Sequence, residues 1–368
     1  MKIVYLIDQF HKHGGIEKML SLKINHFIEN YEYNVTLITT QHVEGQPFVY
    51  RLSEKLTHIN LGVNYLKGKS YFHPLNLLKA LKHFFKLKKQ IRVLEPDVVI
   101  SAGFSPEQYF LPLIVKKAPI IKEFHFSGVI LKRKRNKILN TLNNFLFKQF
   151  NKYDAVVVLN EDEKKYYNFK NLVVIPNFIK LKEGLTTFRR DNTIIGAGRI
   201  SGVKQFNHLI EAWSLIADKF PDWQVKIFGD GDVQLSKELT EQIRKDNIPR
   251  IKLMGATTQL TAEMQKASIF AMTSANECFP MVLLEAQSVG LPIISYDCPN
   301  GPRNIIQNNR NGILIKDQCI NEFADKLTLL IENPEVRRDF GHRAKNSVYK
   351  YSANAVMGEW NNLIKSVI

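Results

Sequence analysis

Short apolar runs recur along the chain with helix-length segments between them. KIVYLI opens it and NVTLITT follows; PDVVIS, APIIKEF, DAVVVLN and LVVIP come later in the first half. Runs of about four to eight β-branched and apolar residues read as strands buried on both faces. Between the first two, the loop HKHGG leads into IEKMLSLKINHFIEN, with apolar residues at Ile16, Met19, Leu20, Ile24 and Phe27. That spacing predicts a helix. Around Pro176–Asn192 the rhythm breaks into the polar, irregular PNFIKLKEGLTTFRRDN, which reads as a linker. A second alternating series then supplies NTIIGAG, WQVKIFG, RIKLMG, ASIFAMTS, LPIIS and GILI.

Alternating strands and helices predict an α/β protein with mostly parallel sheets covered on both faces. At ~150 residues per domain, the 368 residues suggest two domains. Two doubly wound domains imply a ligand in the cleft between them, near the carboxyl ends of the strands. There is no repeat at solenoid periods and no low-complexity tract.

Composition adds limits. The chain is 45% hydrophobic and 23% charged, ordinary for a globular protein. MKIVYLIDQF is interrupted too early by Asp8 to read as a secretory signal, and no apolar run reaches the ~18 residues of a membrane span. Cys278, Cys298 and Cys319 form no C-x-x-C pair, which fits a reduced, cytoplasmic setting and offers no metal framework.

Charge changes the picture more. Residues 1–180 hold 28 Lys/Arg against 14 Asp/Glu, a balance of +14, and residues 181–368 hold 23 against 21, a balance of +2. Only the first half is expected to meet an anionic surface. Two of its segments are basic and amphipathic. LLKALKHFFKLKKQIRVL sets Leu77, Leu78, Leu81, Phe84, Phe85 and Ile91 among Lys79, Lys82, Lys86, Lys88, Lys89 and Arg92. LKRKRNKILNTLNNFLFKQF sets Arg133, Lys134, Arg135 and Lys137 beside Leu139, Leu142, Leu146 and Phe150. Much of each apolar face is expected to pack in the core, with the basic residues docking on an anionic bilayer. No nucleic-acid-binding module is recognised, so no nucleic-acid partner is expected.

The chemistry gathers in the second half. In ECFPMVLLEAQSVGLPIIS, Pro280 fits the first turn of a helix running to Val289, closed by Gly290 and Pro292. Glu277 then precedes the helix, and Glu285 lies inside it, roughly 6 Å further along the axis at ~1.5 Å per residue. Free N–H groups around Phe279–Val282 would make an anion seat between two carboxylates. A ligand with phosphates and hydroxyls at both ends, such as a nucleotide sugar, fits that layout. The plain alternative is an acidic residue at a helix start and a solvated helix face. A glycosidase pair fits less well, because one carboxyl must stay protonated where a helix start favours ionisation.

Upstream, GAGRISGVKQFNHLIEAW places Arg199 and Lys204 at a strand–loop–helix junction, able to clamp a diphosphate. It lacks the third glycine of a dinucleotide fingerprint. FGDGD resembles a D-x-D metal motif but reads better as a turn into a helix beginning near Val233. Gly14 and Gly15 would let the first loop approach a ligand, or simply make a turn. His11 and His13 lack a third metal ligand. His125 follows a strand, where it would bond a sugar or phosphate or serve structure alone.

In order, the glycine pair, His125, GAGR-x4-K, FGDG and E-x7-E resemble the family 4 glycosyltransferases, retaining enzymes of GT-B architecture with two Rossmann-like domains facing a central cleft. The similarity covers nearly the whole chain and is strongest over residues 192–315, resembling bacterial members that build capsule, exopolysaccharide or lipopolysaccharide. It implies an acceptor-binding domain over 1–183, a nucleotide-sugar domain over 191–352, and a last helix at about 353–368 that packs back on the first. Arg199 and Lys204 match the pair that neutralises the donor diphosphate. Glu285 matches the ribose acceptor and Glu277 the carboxylate at the sugar ring. The backbone of Phe279, Pro280, Met281 and Val282 matches the segment that holds sugar or phosphate. Gly14 and Gly15 match the approach to the diphosphate from the first domain, and His125 the histidine near the reacting carbon. The chain departs from the pattern at Cys278, where many members carry Gly, and at Asn300.

The resemblance implies a hexosyl transfer from a nucleotide sugar, UDP first, to a saccharide or lipid-linked acceptor for bacterial surface polysaccharide. It implies no metal cofactor, and peripheral attachment to the inner face of the plasma membrane. A nucleotide-sugar epimerase would need no basic first half. A non-enzymatic basic scaffold binding membrane or RNA would leave Arg199, Lys204, Glu277 and Glu285 without a joint purpose.

Overall fold

A computed structural model of the chain describes residues 1–11, 14–43, 45–66, 68–71, 73–129, 146–181 and 190–368. It divides into two compact units, residues 1–175 with 357–368, and residues 176–356.

The first unit is built on a seven-stranded sheet in the order β3-β2-β1-β4-β5-β6-β7. Its strands are β1 (Lys2–Ile7), β2 (Asn34–Thr39), β3 (Thr57–Asn60), β4 (Val98–Ser101), β5 (Ile120–Glu123), β6 (Ala155–Val158) and β7 (Leu172–Val174). All pairs are parallel; Ile3 of β1 lies beside Val35 of β2 and Val98 of β4. Strands β4, β5 and β6 are buried along their whole length, as continuous β-branched runs predict. Helices α1 (Gly15–Asn30), α2 (Pro74–Leu94) and α3 (Glu107–Ile114) follow β1, β3 and β4. Strand β3, THIN, was not expected: it is polar, half-exposed and at the sheet edge, so it carries no hydrophobic period.

The second unit carries a six-stranded parallel sheet in the order β10-β9-β8-β11-β12-β13. Its strands are β8 (Thr193–Ala197), β9 (Gln224–Phe228), β10 (Ile251–Gly255), β11 (Ile269–Met272), β12 (Ile293–Tyr296) and β13 (Gly312–Ile315). The helices are α4 (Phe206–Ser214), α5 (Val233–Lys245), α6 (Leu260–Lys266), α7 (Met281–Ser288), α8 (Ile320–Glu332) and α9 (Pro334–Ser347). Trp213, Ile227, Tyr296, Phe323 and Leu327 share the core between sheet and helices. The final helix, α10 (Ala353–Val367), lies with the first unit from Met357 on. There the Lys23 ammonium sits 4.2 Å from the Trp360 ring, and the Tyr33 hydroxyl donates to Asn361 at 2.6 Å.

Both sheets reverse their winding direction beside their first strand, between β1 and β4 and between β8 and β11. Loops leaving neighbouring strands on either side of such a reversal part to opposite faces and open a crevice at their carboxyl ends.

Helix α2 forms where its sequence predicts but buries another face. Its buried residues are Asn76, His83, Leu87 and Ile91, while Leu78 is 65% and Phe85 65% exposed. The expected core packing of Leu77, Leu78, Leu81 and Phe85 is therefore incorrect, since all of these are exposed. The reason is that two polar residues find partners inside. Asn76 accepts from the Leu66 N–H at 2.9 Å and donates to the Ser70 carbonyl at 3.0 Å. Tyr65 meets the His83 ring at 3.0 Å, and burial pushes His83 down to about 4. A satisfied polar group loses little on burial, so hydropathy alone misreads the face. The second basic segment falls mostly on residues 130–145, outside the described residues.

Candidate active site

The second unit places its candidate residues at the reversal between β8 and β11. Arg199 and Lys204 lie in the loop after β8; Glu277 lies in the loop after β11, immediately before α7. The Lys204 ammonium pairs with Glu277 Oε1, with side chains 20% and 14% exposed. Arg199 is exposed and has no ion pair among the described residues.

Close backbone seams hold these loops. Ile200 donates to the Asp230 carbonyl at 2.7 Å and Asp232 donates to the Ile200 carbonyl at 2.9 Å. A Cβ on Gly229 would fall on the Gly198 carbonyl, and one on Gly231 on the Ile200 carbonyl. FGDGD is thus the buttress of the Arg199 loop. It then turns into α5 as its sequence predicts, with Asp232 as N-cap accepting from Gln234 and Leu235 at 3.0 and 3.1 Å. Beneath Lys204, the Thr273 hydroxyl reaches the Gln205 carbonyl at 2.9 Å. Glu277 is bridged to Asn300, whose backbone adopts φ 73°, a region asparagine tolerates better than most residues. A Cβ on Gly301 would strike Glu277 and Pro280. The DCPNGP segment therefore seats Glu277.

Helix α7 supplies the rest. Pro280 is its N-cap, one position before the first turn where it was expected, and Met281 is the first helical residue. Leu283 N–H is bound to the Pro280 carbonyl at 3.0 Å, leaving the Met281 and Val282 N–H groups at the open end. Phe279 is buried, edge-on to Tyr351 at 5.6 Å. Glu285 is half-buried one turn inside. Gly290 closes the helix at φ 65°, the left-handed position expected of it. Sequence reasoning missed Arg190, which it assigned to the linker. Its guanidinium bonds the carbonyls of Met264 and Ala267 at 3.3 and 2.7 Å, and of Val289 and Gly290 at 2.7 and 3.0 Å. It ties together the carboxyl ends of α6 and α7, which fixes where α7 ends. A single arginine in a polar run carries no signal of this.

In the first unit, Gly14 caps α1 and Gly15 begins it; a Cβ on Gly15 would meet open space. His125 lies beyond β5 with its side chain only 4% exposed, and its Nε2 meets Glu123 Oε2 at 2.9 Å. The same carboxylate oxygen takes the Lys23 ammonium at 2.6 Å. Burial opposes the charge of Glu123, but Lys23 and His125 hold it down to about 2. On the opposite face of β5, Lys122 donates to Ser101 at 3.2 Å and to the Gly103 carbonyl. Ser105 donates to Glu107, which burial, reinforced by the charge of Asp8, pushes up to about 8. Sequence reasoning missed Lys23, Glu107, Lys122 and Glu123. Its available signal was the charged pair inside the strand run IIKEF, since buried charges require partners. Lys86 donates to the Leu61 carbonyl at 2.5 Å; Lys88 and Lys89 are exposed on α2. Arg133, Lys134 and Arg135 lie outside the described residues. Among the described residues no group of three or more His, Cys, Asp or Glu could hold a metal ion.

Two parallel doubly wound sheets, the second with cations, a carboxylate and a helix start at its winding reversal, are those of the GT-B architecture. Residues 13–183 match the family described as Glycosyltransferase Family 4, and residues 177–347 match Glycosyl transferases group 1. The chain belongs to these glycosyltransferases and is a transferase. It is 25% identical to an uncharacterized glycosyltransferase of Haemophilus influenzae over 99% of both chains. It is 26% identical, again over 99% of both, to the amylovoran biosynthesis glycosyltransferase AmsD of Erwinia amylovora. A structure of S. aureus TarM in complex with Fondaparinux, alpha-GlcNAc-glycerol and UDP shares the fold, with TM-score 0.76, 16% identity and 99% coverage of both chains.

The seams make a direct prediction. Gly229→Ala forces the Gly198 turn to move and is expected to destabilise the protein by about 2 kcal/mol or more, the range of backbone strain and overpacking. Gly202→Ala, where a Cβ would meet open space, is the control and leaves the denaturation midpoint unchanged. Equal midpoints for the two variants contradict the buttress.

Proposed function

We propose that this glycosyltransferase moves a hexosyl unit from a UDP-sugar to a saccharide or lipid-linked saccharide, with retention, in bacterial surface polysaccharide synthesis. The observation that carries the reading is the convergence of Arg199, Lys204, Glu277 and the α7 N-terminus at one strand-end reversal. UDP is favoured because TarM, of the same fold, holds UDP, and polysaccharide synthesis because AmsD serves amylovoran.

In this reading Arg199, Lys204 and the Met281 and Val282 N–H groups receive the diphosphate, and Glu285 accepts from the ribose hydroxyls. Glu277 accepts from the sugar, while Gly14 and Gly15 let backbone approach the phosphates. The bond from the anomeric carbon to the diphosphate breaks as the acceptor oxygen bonds the same face. The acceptor proton passes to the leaving diphosphate. Fixed positive charge stabilises that leaving group, so no metal cofactor is required; groups of this kind contribute on the order of 10²–10³ in rate. His125 acts beside the reacting carbon.

The nucleotide is tested by thermal unfolding with UDP, GDP and ADP, each with EDTA and with magnesium. At about one hundred times its Kd, a ligand that binds only the native state stabilises by about 2.7 kcal/mol. UDP is expected to stabilise with EDTA present, and Glu285→Ala to lose the effect. Stabilisation only with magnesium refutes the metal-free site, and stabilisation by none of the three refutes the donor.

We further propose that the first unit docks on the anionic inner face of the plasma membrane. The support is the exposed stripe of Leu75, Leu78, Leu81 and Phe85 beside Lys82, Lys86, Lys88 and Lys89 on α2, with Arg133, Lys134 and Arg135 adding charge by sequence. No helix among the described residues is long and apolar enough to cross a membrane. Each basic residue near an anionic surface contributes about 1 kcal/mol. Reversing Lys82 and Lys89 to Glu is expected to weaken binding to phosphatidylglycerol vesicles by more than about tenfold. Unchanged sedimentation with those vesicles removes α2 from the membrane surface.

A further inference from the structure

His125, Glu123 and Lys23 make a buried chain that ends on the last helix. Residues 123 and 125 lie two apart at the carboxyl end of β5, so their side chains share a face. That face meets α1, which brings Lys23, and α10, which brings Trp360. The distances run 2.9 Å from His125 Nε2 to Glu123 Oε2, 2.6 Å from the Lys23 ammonium to the same oxygen, and 4.2 Å from that ammonium to the Trp360 ring. Lys23, Glu123 and Trp360 are at most 2% exposed.

We infer that Glu123, anchored by Lys23 beneath Trp360, is a positioning residue that fixes His125 as its Nε2–H tautomer and leaves the Nδ1 lone pair to accept a substrate hydroxyl. A carboxylate accepts and does not donate, so the nitrogen facing it carries the proton. The partner of one ring nitrogen selects the tautomer and leaves the other as acceptor. His125 Nδ1 has no protein partner among the described residues and is not one of the sealed, unsatisfied nitrogens. The surroundings keep the ring neutral: burial lowers the His125 pKa, Glu123 opposes this, and Lys23 and Lys122 lower it further. The carboxylate stays charged, and the Tyr5 hydroxyl of β1 is held protonated by burial and by Glu123. In this arrangement α10 presses on the ammonium, the ammonium sets the carboxylate, and the carboxylate orients the ring.

The inference rests on His125 standing at the substrate, and the test separates the two. Long-range proton–nitrogen correlation spectra of the histidine-labelled full chain, with His125→Gln for assignment, report the tautomer. The expected wild-type signature is a protonated Nε2 and a bare Nδ1 from pH 7 to 8. The charge-compensated Lys23→Met/Glu123→Leu variant is expected to populate both tautomers and to lose about tenfold in kcat with the donor KM unchanged within twofold. An Nδ1–H ring or an imidazolium in wild type overturns the inference without any folded variant, and an unchanged tautomer in the double variant also overturns it. Wild-type transfer by His125→Gln, with the Nε2–H signature intact, overturns the substrate role of His125 and leaves the chain of contacts without a catalytic consequence.

Discussion

The ion pair between Lys204 and Glu277 joins the two loops that form the proposed donor site. One partner comes from the loop after β8, the other from the loop after β11, on opposite sides of the winding reversal. Both side chains keep partial contact with solvent, so the pair adds modestly to stability. Its consequence is placement. An ammonium on a flexible stem loses rotamer freedom when it is clamped, and here that entropy is spent before any ligand arrives. The backbone seams at Gly229, Gly231 and Gly301 carry both partners to within reach, and Arg190 fixes the helix that follows Glu277. In the proposed reaction a diphosphate meets a cation that is already in position.

The first unit uses charge differently. Its charged groups are buried against the sheet, the Lys23–Glu123 ion pair on one face of β5 and, on the other, Lys122 held by Ser101 and the Gly103 carbonyl. Removing one partner of such a pair leaves an uncompensated charge and costs several kcal/mol, roughly 3–5. The Lys23–Glu123 pair therefore fixes the carboxyl end of β5 against α1 firmly. Through Trp360 and Asn361, the last helix joins this frame, so the end of the chain helps to define the surroundings of a histidine more than two hundred residues earlier.

The sequence made the strands legible because parallel strands buried on both faces are written as unbroken β-branched runs. It made α7 legible because Gly290 and Pro292 punctuate its end. FGDGD read correctly as a turn, but why it is glycine-rich depends on a loop thirty residues away, invisible to local pattern. Helix α2 was misread at its face, because Asn76 and His83 find partners in the loop before it. Strand β3 was missed because an edge strand need not be apolar. The buried charges of IIKEF stood in plain view, but their partners on α1 and at the end of β4 are brought by the fold alone.

The most direct measurement is UDP affinity by calorimetry for wild type, Lys204→Met, Glu277→Gln and the double variant. With no sugar present, Glu277 acts on UDP only through Lys204. The account predicts that Lys204→Met weakens UDP by at least about tenfold, about 1.4 kcal/mol. Glu277→Gln, which frees the ammonium, should also weaken UDP, though by less than Lys204→Met, and the double variant should match Lys204→Met. Wild-type affinity in Lys204→Met would show that the clamped ammonium does not meet the diphosphate and would contradict the account at its centre.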